Sequence, residues 1–136
     1  SSAVRDLYRR GASFNIPGEE VDGMDVLAVR DAGRKAAEWC RAGKGPIILE
    51  MQTYRYRGHS MSDPAKYRTR EEVQTVREKR DPIEHLGQRM IAAGIASEED
   101  LKAIDKKTRQ IVNTAAEFAT ESPEPSPDEL YTDVYA

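Results

Sequence analysis

The sequence predicts an α/β fold, a β-α-β unit followed by a helical C-terminal segment. Three observations carry that prediction. The apolar run Pro46-Ile47-Ile48-Leu49-Glu50-Met51 reads as a strand. It follows a segment, residues 25–41, whose apolar side chains recur at helical spacing. Beyond it stand three helix-start patterns, at Thr69, Asp81 and Ser97.

Residues 1–24 read as mostly loop, punctuated by Gly11, Pro17, Gly18 and Gly23. Glu20-Val21-Asp22 is expected to be a very short strand, and Asp22 or Asp25 to cap the helix that follows. On that helix Val26, Val29, Gly33, Ala36, Ala37 and Cys40 share one face. Gly43 is its natural stop. In the strand at 46–53, four of the first six residues are apolar without clean alternation, which predicts burial on both faces.

The remainder predicts helices. Thr69-Arg-Glu-Glu72 is a capping-box pattern opening a helix to about residue 79. Asp81-Pro82 supplies an N-cap with proline at the first helical position, and Gly94 follows that helix. Ser97-Glu-Glu-Asp100 opens a longer one. Its stripe, Leu101, Ile104, Thr108, Ile111, Ala115 and Phe118, predicts packing against a neighbour. The Pro-rich segment 121–127 reads as an extended linker. The expected division is an α/β part at 1–68, a helical segment at 69–121 and a Pro-rich tail at 122–136.

Composition bounds the rest. The 136 residues are 38% hydrophobic and 33% charged, with a formal net charge of −3. Such a chain supports a small core and leans on partners to bury its apolar surface. Nothing in the charge balance calls for nucleic acid or an anionic membrane, and no apolar run nears the roughly 18 residues of a bilayer span. The single cysteine, Cys40, excludes an internal disulfide and is expected to be packed or inert. The chain shows no initiator Met and no signal or transit segment; its opening, Ser1-Ser2-Ala3, has no start signature, so it reads as a fragment from which targeting is not legible.

One stretch carries chemistry. Tyr54-Arg-Tyr-Arg-Gly-His-Ser-Met-Ser-Asp-Pro64 leaves the carboxyl end of the main strand, where open parallel sheets place their ligands. Between Arg55 and Arg70 stand five cations (Arg55, Arg57, Lys66, Arg68, Arg70) and one acid, Asp63. Cations there suit a phosphate or carboxylate. Gly58 permits a turn or a close backbone approach. His59 offers a hydrogen bond or a proton near neutral pH, and Ser60 and Ser62 offer hydroxyls. His85, inside the second C-terminal helix, reads as structural. No metal-ligand spacing, P-loop or nucleophile elbow is present. From the residues alone, the reading ends at an anion-contacting loop on an α/β fragment.

The order of segments goes further. The string IPGEEVDGMDVLAVRDAGRKAAEWCRAGKGPIILEMQTYRYRGHSMSDP closely resembles the α subunits of the pyruvate dehydrogenase first component, of the thiamine-diphosphate-dependent 2-oxoacid dehydrogenase family. The resemblance extends through the TREE and DPIEHL segments to ATESPEP and YTDVYA. It implies the C-terminal part of a thiamine-diphosphate-binding fold, in an α2β2 heterotetramer. It also implies oxidative decarboxylation of pyruvate and reductive acetylation of a lipoyl group on the acetyltransferase component. The cofactors implied are thiamine diphosphate and magnesium. By the resemblance, the family's GDG…N magnesium-and-diphosphate motif lies upstream of Ser1, so no magnesium ligand is assigned among these residues.

By the same resemblance His59 contacts the diphosphate and has a possible proton role when lipoyl reacts. The loop around it corresponds to the family's phosphorylation loop, with Ser60 at the regulatory position. Arg55, Arg57, Ser62, Asp63, Tyr67 and Arg68 are implied in loop order or regulation. Here SDPAKYRT is one residue shorter than the family's SDPGVSYRT and lacks its second serine. That speaks against regulation by animal kinases and for a bacterial, cytoplasmic source; a eukaryotic one would place the protein in the mitochondrial matrix. Branched-chain relatives read YRIGHHSTSDD, and acetoin dehydrogenase relatives usually lack the serine after the histidine, so both fit less well. A non-catalytic helical assembly module is the alternative of a different class.

Overall fold

A computed structural model describes residues 3–60, 62–63 and 67–135. Lys66, one of the five cations of the loop, lies outside the described residues. Two compact units are present, residues 1–93 and residues 94–136.

The first unit is built on strand β1, Gly18–Asp22, and strand β2, Ile48–Gln52, joined by helix α1, Val26–Arg41. The strands pair in parallel, with Gly18 opposite Ile48 and Asp22 opposite Gln52. The Ile48 N–H donates to the Pro17 carbonyl, and the Gly23 N–H to the Gln52 carbonyl, each at 2.9 Å, so the ladder runs past both ends. The predicted β-α-β unit is thus present. Asp25 is the cap of α1: its Oδ1 accepts from Leu27 N and Ala28 N at 2.8 and 3.2 Å. Gly43 ends the helix at φ +72°, a conformation that disfavours a side chain.

Three packing expectations need correction. Strand β2 is not buried on both faces: Ile48, Leu49 and Glu50 are half-buried, and Met51 and Gln52 are exposed. Among the described residues the elements packed on this two-stranded sheet are α1, chiefly against β1, and the 3-10 helix Leu7–Phe14, too little to cover β2 on both faces. On α1 the buried residue is Ala32, while Val26, Gly33 and Cys40 are exposed. The buried face is thus centred on Ala32, with Val29, Ala36 and Ala37 of the predicted face half-buried. Cys40 is accordingly an exposed thiol, not a packed one. The core of the described residues is Val21, Met24 and Ala32.

A 3-10 helix, Leu7–Phe14, occupies part of the segment read as loop. Its Tyr8 N–H donates to Glu50 Oε2 at 2.8 Å, tying it to β2. Helix α2, Arg70–Arg80, and helix α3, Pro82–Ala92, meet at Asp81, which caps the second through Ile83 N and Glu84 N. Two arginines fasten this pair to the turn between β1 and α1. Arg80 donates to both carboxylate oxygens of Asp22 at 2.7 and 2.8 Å, and Arg89 to Asp25 Oδ2 at 3.1 Å. His85 is exposed on α3.

In the second unit Ser97 and Asp100 form a complete capping box at the start of helix α4, Glu98–Glu121. The predicted stripe on α4 is not packed: Ile104, Ile111 and Phe118 are 56%, 61% and 74% exposed. Among the described residues only a short 3-10 helix, Pro127–Tyr131, follows α4 within this unit, too little to cover a 24-residue helix. That 3-10 helix lies within the segment read as a Pro-rich tail. Among the described residues, no helix is long and apolar enough to cross a membrane.

Candidate functional site

Strand β2 ends at Gln52, and the chain leaves it without regular structure through Thr53 to Tyr56 and bends at Arg57. The alternating YRYR sequence then sorts its side chains by period two. Tyr54, Tyr56 and Gly58 are half-buried, while Arg55, Arg57 and His59 are exposed. The tyrosines turn to α2: Tyr54 Oη donates to Glu72 Oε1 at 2.7 Å, and Tyr56 Oη to Asp81 Oδ2 at 3.2 Å. Arg77 stands 5.0 Å from the Tyr56 ring centre. Partial burial, and then the neighbouring carboxylate, raises the pKa of each phenol above its ordinary value, so both remain protonated donors.

This explains a partial failure at the start of α2. Thr69 Oγ1 accepts from Glu72 N at 3.0 Å, as a capping box requires. The Glu72 carboxylate, which should complete the box, instead receives the Tyr54 hydroxyl.

The loop folds on itself around Asp63. Asp63 Oδ2 accepts the His59 backbone N–H at 2.9 Å and the Tyr67 hydroxyl at 3.2 Å, while Asp63 N donates to the Ser60 carbonyl at 3.1 Å. Gly58 must lack a side chain here, because a Cβ would lie 2.6 Å from Asp63 Oδ2. On the other side Arg55 Nε and NH2 donate to the carbonyls of Arg57 and Gly58 at 2.9 and 3.2 Å. Backbone donors of the Gly58-His59 turn are thus held by an anion and its acceptors by a cation. Arg68 donates to the Tyr67 hydroxyl at 3.1 Å, and that bond raises its already high pKa. Its guanidinium lies 4.7 Å from the Tyr67 ring centre and 5.3 Å from that of Tyr54.

The sequence-predicted residues therefore divide. Arg55, Asp63, Tyr67 and Arg68 join in one network that fixes the turn. Ser60 and Ser62 are exposed and bonded to each other, Oγ to Oγ, at 2.8 Å. Arg57 and His59 are exposed, and neither side chain has a hydrogen bond or ion pair among the described residues. A rigid turn presenting one imidazole and one guanidinium can bind an anion. Among the described residues no group of three His, Cys, Asp or Glu could hold a metal ion. The sequence reading missed Tyr54, Tyr56, Glu72, Arg77 and Asp81 as supports of the loop. The signal for the tyrosines was the strict aromatic-arginine alternation.

Comparison with known proteins places this geometry in context. The family model described as Dehydrogenase E1 component matches residues 1–128. The pyruvate dehydrogenase E1 component subunit alpha of Rhizobium meliloti is 60% identical over 134 residues, covering 98% of this chain and 38% of the relative. The subunit of the same name from Zymomonas mobilis is 56% identical over the same shares. The somatic, mitochondrial form from Homo sapiens is 56% identical over the whole of this chain and 35% of its own length. The chain thus spans little more than a third of the curated relatives it matches.

Proposed function

The chain belongs to the dehydrogenase E1 component family, and from that premise we propose that it is the C-terminal part of a pyruvate dehydrogenase E1 α subunit. On this reading the parallel β1–β2 pair is the C-terminal part of a thiamine-diphosphate-binding fold. The free strand edges and half-buried faces support it, since further strands and helices of the longer subunit would cover them. The exposed stripe of α4 fits a chain that works in an assembly, an α2β2 heterotetramer with a β subunit. Similar relatives come from bacteria and mitochondria, and the one-residue-shorter SDPAKYRT favours a bacterial, cytoplasmic protein.

The observation that carries the proposal is the pinned Gly58-His59 turn at the carboxyl end of the sheet. It fits a diphosphate: an exposed imidazole and the Arg57 guanidinium stand on a backbone fixed from both sides. His59 would hold the diphosphate of thiamine diphosphate, with Arg57 adding positive charge nearby. When bound, thiamine diphosphate supplies an electron-accepting ring for the decarboxylation of a 2-oxo acid such as pyruvate. The chain's own part is to hold that anion, wall the channel to it, and exchange a proton at the His59 imidazole while the lipoyl disulfide of the acetyltransferase component is reduced. Magnesium would be held by residues of the longer subunit upstream of this chain, the described residues offering no cluster for it.

The test is reconstitution of the complete α subunit with its β subunit. Pyruvate-dependent acetylation of a lipoyl domain, saturable in thiamine diphosphate, is expected. Preference for a branched-chain 2-oxo acid would move the protein to the related dehydrogenases. No dependence on thiamine diphosphate would leave it an assembly module.

A further inference from the structure

The loop has a neck. Tyr54 at its entrance and Arg68 at its exit are fourteen residues apart in sequence, yet the guanidinium lies 5.3 Å from the ring centre. The hydroxyl of the same ring reaches Glu72 on the first turn of α2 at 2.7 Å. Tyr56 is anchored to Asp81 next door, with its ring 5.9 Å from that of Tyr54, but it does not reach the exit. Tyr54 alone of the two touches entrance, exit and helix.

We propose that Tyr54 is a positioning residue that closes the neck of the 55–67 loop, standing between Glu72 of α2 and Arg68 at the loop's exit, and so keeps His59 in register with its anionic ligand. The proposal rests on the reading of His59 given above. Closing a loop at its ends lowers the entropy its interior would otherwise gain by opening. The Asp63 network then only has to fix a short turn. Arg68 serves both, through Tyr54 at the neck and through Tyr67 in the turn. Glu72 is diverted from the capping box to this bond, so a local helix contact is given up for a loop contact.

The experiment uses the complete α subunit assembled with its β subunit, and reads hydrogen exchange over residues 55–63 against α1. Tyr54→Phe removes the bond to Glu72 and keeps the ring beside Arg68; about 2- to 10-fold faster loop exchange is expected. Tyr54→Leu removes both contacts and should accelerate it about 10- to 50-fold, with α1 unchanged. Glu72→Ala, on an exposed helix position, removes the acceptor of the Tyr54 hydroxyl, should behave like Tyr54→Phe, and carries the test where Tyr54→Leu does not assemble. In both tyrosine variants kcat for lipoyl acetylation should fall in step with loop opening, Phe less than Leu, while KM for pyruvate stays within about 2-fold. Unchanged loop exchange in Tyr54→Leu and Glu72→Ala would overturn the neck, leaving His59 to be judged by its own substitution. Faster loop exchange with unchanged turnover would overturn the positioning role through the other door: the neck would be real, and the loop would not belong to the reacting site.

Discussion

The Asp63 carboxylate holds the backbone of His59, not its ring: the His59 N–H donates to Asp63 Oδ2 at 2.9 Å, while the imidazole is left exposed. The backbone that carries this imidazole, the proposed diphosphate contact, is thereby fixed without spending either ring nitrogen. The same carboxylate receives Tyr67, so one residue sets both the turn and the return of the loop.

That relationship gives the first prediction. In the assembled enzyme Asp63→Ala should lower lipoyl acetylation about 10- to 150-fold, the range for losing a hydrogen bond to a charged group. Asp63→Asn keeps an acceptor oxygen and should lose less. Steady-state rates with a free lipoyl domain decide the matter. Equal activity in both variants and the parent would mean that Asp63 does not position the site.

His59→Ala tests the ring itself. Among the described residues the imidazole makes no hydrogen bond or ion pair, so the melting temperature should stay within about 2 °C. The dissociation constant of thiamine diphosphate should rise, or lipoyl acetylation slow, by about 10- to 150-fold. Titration followed by turnover separates the two roles. Parent-like values in both measurements would remove His59 from the site.

Much of this was legible in the sequence, for identifiable reasons. Caps are local, so Asp25, Thr69, Asp81 and Ser97 announced helices that begin within a residue of where they were read. The loop announced itself through its cations and its position after a strand. What failed depends on distant partners. The exposure of Cys40 and of Met51 follows from which neighbours a two-stranded sheet has, and local pattern does not contain that. The diversion of Glu72 to Tyr54 joins residues eighteen apart, and the capping-box pattern at Thr69 could not foresee it.

Acid should open α1 from its first turn. The pKa of Asp25 is lowered by the backbone N–H donors of Ala28 and Leu27, with a smaller contribution from Arg89. A lowered folded-state pKa means stabilisation that is present above the unfolded value of about 3.9 and lost as pH falls through the folded one. Amide exchange at Leu27 and Ala28, corrected for intrinsic rates, should therefore accelerate below about pH 4. Asp25→Asn keeps an uncharged cap and should flatten that step. A pH profile identical in the parent and Asp25→Asn would show that the carboxylate charge plays no part.

The last prediction concerns Ser60→Glu in the assembled enzyme. Ser60 stands beside His59, its hydroxyl bonded to Ser62 and its carbonyl accepting the Asp63 N–H. A carboxylate at this position brings a second negative charge to the turn that Asp63 already serves. It should repel Asp63, compete for Arg55 and Arg57, and oppose an anion held at His59. If Asp63 moves, the His59 N–H and the Tyr67 hydroxyl lose their shared acceptor together. Lipoyl acetylation should therefore fall to near background, with loop exchange accelerated as in a broken neck. Ser62→Glu, two residues farther from His59, should be milder. Ser60→Ala removes only the bond to Ser62 between two exposed hydroxyls and should retain most activity, which makes it the control for charge. Should Ser60→Glu turn over as fast as Ser60→Ala, the loop does not line the channel, and the assignment of His59 to the diphosphate fails with it.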